Sequence, residues 1–216
     1  ADHVIVTLPL GVLKAGDVKF DPPLPAAKQH AIDTIGAGMV NKLILGFKEA
    51  FWPDDMMAIY TASDSQMWWR PGWGRADEAA TLTAFAGGQA GAAHSAMSED
   101  DAISNSLENL QAVFGKDVTD LLTFGHFVNW GADPYSKLGY SFNTVGSKGL
   151  RKVLAQPIQD RLYFAGEACN TLRPATVHGA METGIDSAQY IIDLTGSDQP
   201  RGLVGWVRSL LGSVGL

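Results

Sequence analysis

Short runs of apolar and β-branched residues, ended by glycine or proline, predict a series of strands. The first run, residues 4–8, is stopped by Pro9, and residues 11–14 are predicted as a turn out of it. A segment rich in tryptophan, residues 67–74, is predicted as a loop or hairpin tip. Further strands are predicted over the ranges 40–47, 56–60, 81–85, 121–130, 140–144 and 161–165.

Three other segments have the periodicity and capping residues of helices. They cover residues 26–35, residues 98–114 with Ser98 as the N-cap, and residues 176–194 with Thr176 as the N-cap. Because strands and helices mix without strict alternation, we predict an α/β fold of the mixed α+β type, with helices flanking a mixed β-sheet. One helical face of residues 203–214 is apolar, and we expect it to dock on the protein's own surface rather than on a membrane or a partner.

Composition restricts the classes of function. The 216 residues are 46% hydrophobic and 18% charged, typical of a globular protein with a substantial core. A net charge of −7, without a basic stripe, argues against nucleic-acid binding, and the apolar runs are too short to span a membrane. The one cysteine, Cys169, excludes an internal disulfide and a cysteine-rich zinc site, and the histidines lack metal-ligand spacing. We therefore expect a cytoplasmic protein without a metal site.

The most informative segment is RLYFAGEACNTLRPATVHGAMETGIDSA, residues 161–188. It predicts a strand, a turn at Gly166-Glu167, a loop, and a helix that Thr176 caps. The unpaired amides at such a helix start stabilise an anion, and the Glu167 carboxylate suits a ligand rich in hydroxyls. An ordinary capped helix after a surface turn explains the same residues equally well.

FAGEA and PATVHGA, in this order and spacing, resemble the C-terminal flavin motif of the flavin amine oxidases, especially polyamine oxidases and lysine-specific histone demethylases. The resemblance implies that Gly166 and Glu167 meet the ribityl–pyrophosphate region of FAD. It also implies that Thr176 and Val177 lie at the flavin ring, with backbone amides directed at its pyrimidine edge. Cys169 stands where many members have Thr or Ser, and we interpret it as an inert core residue.

Residues 4–14 (VIVTLPLGVLK), followed by FDPPLP and GAGMVNKLILGF, resemble a second series of family motifs. Taken alone, Lys42 reads as an edge-strand lysine whose stem extends to water. In the family, the lysine that matches Lys42 holds a water beside flavin N5, which makes Lys42 the predicted catalytic residue. The resemblance also makes Thr7 a predicted FAD contact.

Residues 129–141 (NWGADPYSKLGYS) resemble the family's RW..DP…GSYS stretch. Trp130 would pack on the flavin, and Tyr140 would form an aromatic wall of the substrate cage that guides an amine by cation–π attraction. The family's second cage tyrosine would fall near Thr176, so the implied cage is half open and Thr176 is also a predicted substrate contact. Without the resemblance, both aromatic residues read as core. Gly139 stands where members with covalent flavin carry cysteine, so the implied FAD is non-covalent.

The resemblance covers residues 3–195 but only the second half of the family's sequence. The GxGxxG strand–turn–helix with which family members begin is not found in this sequence. We expect the N-terminal FAD-binding half in the same or another chain, and we expect the fragment alone to be inactive. The implied organisation is FAD-binding domain (1–13), substrate-binding domain (14–145), FAD-binding domain (146–195) and amphipathic tail (196–216).

The implied function is oxidation of a primary or secondary amine to an imine, with hydride transfer to FAD and reduction of O2 to H2O2. Its ligands would be a small-molecule amine and O2. One alternative is an L-amino-acid oxidase, which needs an arginine clamp for the substrate carboxylate; Arg70, Arg75 and Arg173 are candidates. Another is a non-catalytic binding module that retains the substrate-domain fold.

Overall fold

The computed structural model describes residues 1–196. The helices are α1 Leu10–Ala15, α2 Ala26–Thr34, α3 Gly88–Ser95, α4 Glu99–Phe114, α5 Leu150–Ala155 and α6 Val177–Thr195. The strands are β1 Val4–Val6, β2 Gly36–Ala37, β3 Val40–Phe47, β4 Ala58–Tyr60, β5 Met67–Trp69, β6 Thr81–Gly87, β7 Leu122–Asn129, β8 Ser141–Phe142 and β9 Leu162–Phe164. The predicted mixed α/β class is thereby confirmed. The amphipathic segment 203–214 lies outside the described residues.

Within residues 1–196, every helix falls short of the length or the apolar character needed to cross a bilayer. The chain divides into two compact units. Within the described residues, one combines Ala1–Gly36 with residues 140–196, and the other is Ala37–Gly139. The boundaries predicted from motifs, after residues 13 and 145, differ from these, and the ligand assigned to each domain stays a prediction.

The unit Ala37–Gly139 is built on an antiparallel sheet with the strand order β4-β5-β6-β3-β7. Strand alternation sends Leu43, Leu45 and Phe47 of β3 to one face, where they join a buried apolar cluster with residues of α4. Helix α4 is fixed at both ends, because the Ser98 hydroxyl accepts the Asp101 amide proton and Gly115 adopts a left-handed φ of 69°. Lys42 and Ile44 lie on the opposite face.

The other unit places the N-terminal strand beside the strand that leads to Gly166. β1 and β9 are parallel, with Val4 opposite Leu162 and Val6 opposite Phe164. Nearby, α2 packs on α5, and the buried Lys28 ammonium donates to three carbonyl groups at the end of α5. These carbonyls belong to Val153 (3.3 Å), Leu154 (2.6 Å) and Gln156 (2.6 Å).

Local predictions were wrong at two places. Residues 11–14 belong to α1 rather than a turn, because the fixed φ of Pro9 suits a helix start and burial of Leu10 and Val12 stabilises the helix. Part of the tryptophan-rich segment forms β5, because Trp68 is fully buried between β4 and β6. The short helices α3 and α5 were not predicted, since α3 carries no pronounced apolar stripe and α5 is only six residues long.

Candidate functional site

The loop between β9 and α6 is organised by Asn170. Its side-chain oxygen accepts the amide protons of Leu172 (2.9 Å) and Arg173 (2.8 Å). Its side-chain nitrogen donates to the Gly179 carbonyl (3.0 Å) and to Glu182 (2.9 Å). Since one buried side chain bonds both the loop and the first turns of α6, the position of the loop relative to the helix is fixed.

Glu167 joins three segments of its unit. Its carboxylate accepts the amide proton (2.9 Å) and the hydroxyl proton (2.5 Å) of Ser141, the residue after Tyr140. It also accepts the amide proton of Ala175 (2.8 Å), the residue before Thr176. The turn at the end of β9 therefore holds together the segment that starts at Tyr140 and the start of α6.

Arg151 extends this network and was missed by sequence reasoning. Its Nη1 donates to the Ser141 hydroxyl oxygen (2.6 Å), and its Nε donates to the Asn143 side chain (3.0 Å). Burial lowers the pKa of the Arg151 guanidinium, and the nearby Glu167 carboxylate opposes that shift. No sequence signal pointed to the network, because Ser141 and Glu167 are 26 residues apart and no motif joins them to Arg151.

Helix α6 begins as the sequence predicts. The Thr176 hydroxyl accepts the Gly179 amide proton (3.0 Å) and donates to the Arg173 carbonyl (2.7 Å). A Cβ at Gly179 would lie 2.0 Å from that carbonyl oxygen, so only glycine fits there. Val177 is 89% exposed, and the first amides of a helix have no carbonyl one turn back. The helix start is thus rigid, accessible and rich in unpaired donors.

Gly166 is fixed against the same helix. Its φ of 138° favours glycine, and its amide donates to the Thr183 hydroxyl on α6 (2.9 Å). Thr7 follows the neighbouring strand β1 and is exposed. The parallel pairing of β1 and β9 therefore places Thr7 and Gly166 just beyond the ends of adjacent strands, as expected for contacts with one ligand.

Lys42 lies in the unit Ala37–Gly139. It is the third residue of β3. Because β3 lies between β6 and β7 in the sheet, the interpretation of Lys42 as an edge-strand lysine is wrong. Phe85 and Val128 stand opposite it on the neighbouring strands. Its ammonium nitrogen lies 5.7 Å from the centroid of the Trp69 ring, a cation–π contact that sequence reasoning did not predict.

The two predicted aromatic residues are substantially exposed. Trp130, directly after β7, is 39% exposed, and Tyr140 is 43% exposed in the other unit. Their interpretation as core residues is therefore wrong. Lys42 and Trp130 lie in one unit, and the other predicted contacts lie in the second unit: Thr7, Tyr140, Gly166, Glu167, Thr176 and Val177. That all of them face one flavin stays a prediction.

Each arginine considered as a substrate clamp binds a carboxylate of its own unit. Arg70 forms a bidentate pair with Glu78 (2.6 and 2.8 Å). Arg75 pairs with Asp77 (3.1 Å), and Arg173 pairs with Glu182. A substrate carboxylate would have to compete with these acids, which disfavours an amino-acid clamp.

Cys169 is buried beside Glu167. Burial raises the pKa of its thiol to about 12, so the sulfur stays protonated at neutral pH. The thiolate is the nucleophilic form of cysteine. A covalent bond between this cysteine and a cofactor is therefore disfavoured, in agreement with its interpretation as an inert core residue.

Comparison with known proteins identifies a family and several relatives. The model of the family described as flavin containing amine oxidoreductase matches residues 1–192. Lysine-specific histone demethylase 1 homolog 3 of Arabidopsis thaliana is 36% identical over 202 residues, which is 89% of this chain and 12% of the relative. Lysine-specific histone demethylase 1 homolog 1 of Oryza sativa subsp. japonica is 34% identical over 200 residues, covering 88% and 23%. Polyamine oxidase 2 of A. thaliana is 34% identical over 193 residues, covering 88% and 38%. The chain therefore spans well under half the length of these relatives.

Proposed function

The chain belongs to the family of flavin containing amine oxidoreductases, and on that premise we propose that it is the C-terminal half of an FAD-dependent oxidase of small-molecule amines. The reaction converts a primary or secondary amine into an imine. When bound, FAD would serve as the acceptor of a hydride from the amine carbon and would pass the electrons to O2, which yields H2O2. FAD is held non-covalently, since Gly139 has no nucleophile and Cys169 is buried and protonated.

One observation carries this proposal. The Glu167 carboxylate bonds both Ser141 and Ala175, so it connects the neighbours of Tyr140 and Thr176 through a single side chain. The residues proposed to face the substrate and the flavin within this unit are thus held by one network. A network of this kind preorganises a site at the cost of a buried or half-buried charge.

The residues present suit the flavin. Helix α6 offers an exposed start at Val177, where free amides and the helix dipole stabilise negative charge on the flavin ring. Glu167 accepts three protein hydrogen bonds, and a carboxylate has about four acceptor positions, so one stays available for a ribityl hydroxyl. Thr7 and Gly166 are proposed to flank the same part of FAD, and Trp130 is proposed to pack on it.

The chain's own polar and aromatic groups would orient the reactants. Lys42 is proposed to hold a water by donating a hydrogen bond from its ammonium group, which the Trp69 ring helps to position. The Tyr140 ring is proposed to attract the amine through its π face. The amine must be neutral to react, and apolar surroundings would lower its pKa by desolvation. No protein base is proposed.

A substrate screen tests the proposed function. The product of the complete gene would be reconstituted with FAD and assayed for peroxide with polyamines, arylalkylamines and L-amino acids. We expect peroxide from amines and none from amino acids, and no turnover by the 216-residue chain alone. Turnover of amino acids would establish the alternative oxidase instead. Bound FAD without turnover of any amine would indicate the non-catalytic module.

Lys42 gives a sharper test. In the complete protein, Lys42→Met is expected to lower the turnover rate by ~10-fold or more, because the water beside the flavin loses its charged donor. Lys48→Met is a matched control, since Lys48 follows the same strand and its ammonium donates to the Asp120 carbonyl (2.7 Å). Equal rates for the two variants would remove Lys42 from the catalytic site.

A further inference from the structure

A cavity of about 330 Å³ lies beside the Arg151 network. It is bounded by the loop between β8 and α5, by Arg151, and by Thr171 from the loop before α6. Two of its lining residues are basic, Lys148 and Arg151, and none is acidic. The cavity is therefore electropositive, in a chain whose net charge is negative.

The buried guanidinium is the central feature. Arg151 is only 6% exposed and uses Nε and Nη1 on protein acceptors, while Nη2 has no acceptor among residues 1–196. Its charge reaches Glu167 through the Ser141 hydroxyl rather than through a direct ion pair. Burial lowers the pKa of Arg151, and the nearby Glu167 carboxylate opposes that shift. A guanidinium nevertheless stays protonated in proteins, so a further anion would stabilise it.

Other donors border the same cavity. Within the described part of the chain, the Lys148 ammonium, the Asn143 side-chain nitrogen and the Thr171 hydroxyl have no hydrogen-bond acceptor. The hydroxyls of Thr144 and Ser147 already donate to backbone carbonyls (2.5 and 2.8 Å). Arg151 is buried, whereas Asn143, Lys148 and Thr171 are exposed, so the donors of these three lining residues are accessible to a ligand.

We propose that this cavity binds a tetrahedral oxyanion. Arginine presents a fork of N–H groups that matches phosphate oxygens, and lysine adds a point charge. Net charge also fits, since Arg151 and Lys148 together outweigh Glu167 by one unit. The shared chemistry is a phosphate group, supplied either by free inorganic phosphate or by the pyrophosphate of bound FAD. The proposal does not depend on the proposed amine oxidation.

Phosphate titration tests the proposal. Isothermal titration of the complete protein, purified without FAD, with sodium phosphate, against sodium chloride of equal ionic strength, is expected to show phosphate-specific binding. Lys148→Gln is expected to weaken that binding by ~10-fold, since it removes one charged donor. Lys152→Gln is the matched control, because Lys152 lies four residues later and lines a different cavity, and it is expected to leave the affinity unchanged. No phosphate-specific heat, or equal weakening by both substitutions, would overturn the proposal.

A competition experiment distinguishes the two sources. In the complete protein, phosphorus NMR would follow inorganic phosphate while FAD is added. If inorganic phosphate stays bound after FAD is added, the ligand of the cavity is a free anion. Phosphate that FAD displaces, with the displacement weakened by Lys148→Gln, assigns the cavity to the pyrophosphate. Displacement that is unaffected by Lys148→Gln would place the phosphate at another site and contradict the proposal.

Discussion

The Ser141 hydroxyl donates a 2.5 Å hydrogen bond to the Glu167 carboxylate, across 26 residues of sequence. This bond links the residue after Tyr140 to the turn that precedes α6. The same hydroxyl oxygen accepts a proton from the buried Arg151, so the positions of all three groups depend on one another. A change at any of them is therefore expected to affect both the stability of this unit and its proposed flavin contacts.

Replacement of Glu167 by glutamine tests the network. One carboxylate oxygen becomes an NH2 group, which cannot accept from Ser141 or Ala175, so we expect a loss of ~1–3 kcal/mol in the free energy of unfolding. Urea denaturation of Glu167→Gln measures this loss. The matched control is Glu108→Gln, at an exposed position of α4, with an expected change within about 0.5 kcal/mol. Equal stability of the two variants would show that the Glu167 hydrogen bonds contribute nothing.

Substitution of two helix N-caps distinguishes an effect on stability from an effect on FAD binding. Thr176→Ala and Ser98→Ala each remove a side-chain acceptor at a helix start, and each is expected to lower the free energy of unfolding by ~1 kcal/mol. Only Thr176→Ala is expected to weaken FAD binding by the complete protein, because α4 is not proposed to contact the flavin. Fluorescence titration with FAD measures the difference. A similar FAD affinity for both variants would show that the start of α6 does not contribute to the flavin site.

The buried Lys28 makes stability depend on pH. Burial lowers the pKa of its ammonium to about 8, whereas an unfolded lysine titrates near 10.5. Between these values the unfolded chain binds more protons than the folded chain, so the free energy of unfolding rises with pH. The stability gain is complete above about pH 10.5 and is lost as the pH falls through 8.

Comparison with Lys28→Met isolates this effect, because methionine does not titrate. Urea unfolding at pH 7 and at pH 10.5 is expected to show that the wild type gains on the order of 2 kcal/mol relative to Lys28→Met. Tyr163 and Tyr190, whose pKa values are raised, titrate in both proteins and cancel in the difference. A difference that does not change with pH would contradict the assignment to Lys28.

Cys169 is expected to resist thiol reagents in the folded protein. Its thiol is buried, its pKa is raised to about 12, and reaction requires the thiolate. Ellman's reagent at pH 8 should therefore detect less than about 0.1 thiol per chain until denaturant is added, and one thiol afterwards. Rapid reaction without denaturant would show that this part of the core opens to solvent.

The sequence predicted the elements whose local signals are strong. Ser98 and Gly115 bound α4, and Thr176 and Gly196 bound α6, because side-chain caps and left-handed glycines act within a single turn. Strand β3 was also predicted, since its apolar run is long enough to identify. Signals of this kind depend on neighbours in sequence, so they can be read without the fold.

Contacts between distant segments could not be predicted in the same way. Arg151 and Ser141 carry no motif, yet they complete the environment of Glu167. The contact between Lys42 and Trp69 depends on the pairing of β5 with β6 and of β6 with β3, which no local pattern reveals. The family resemblance supplied the identity of the proposed site residues, and the fold supplied the groups that hold them.

A structure of the complete protein with FAD bound is the most direct test of the central claim, that Lys42, Tyr140 and the start of α6 surround one flavin. The claim predicts the Val177 amide within hydrogen-bond distance of the pyrimidine edge, and the Lys42 ammonium near flavin N5 on the same ring. FAD bound without contact to Val177, or with Lys42 on an unrelated surface, would contradict it.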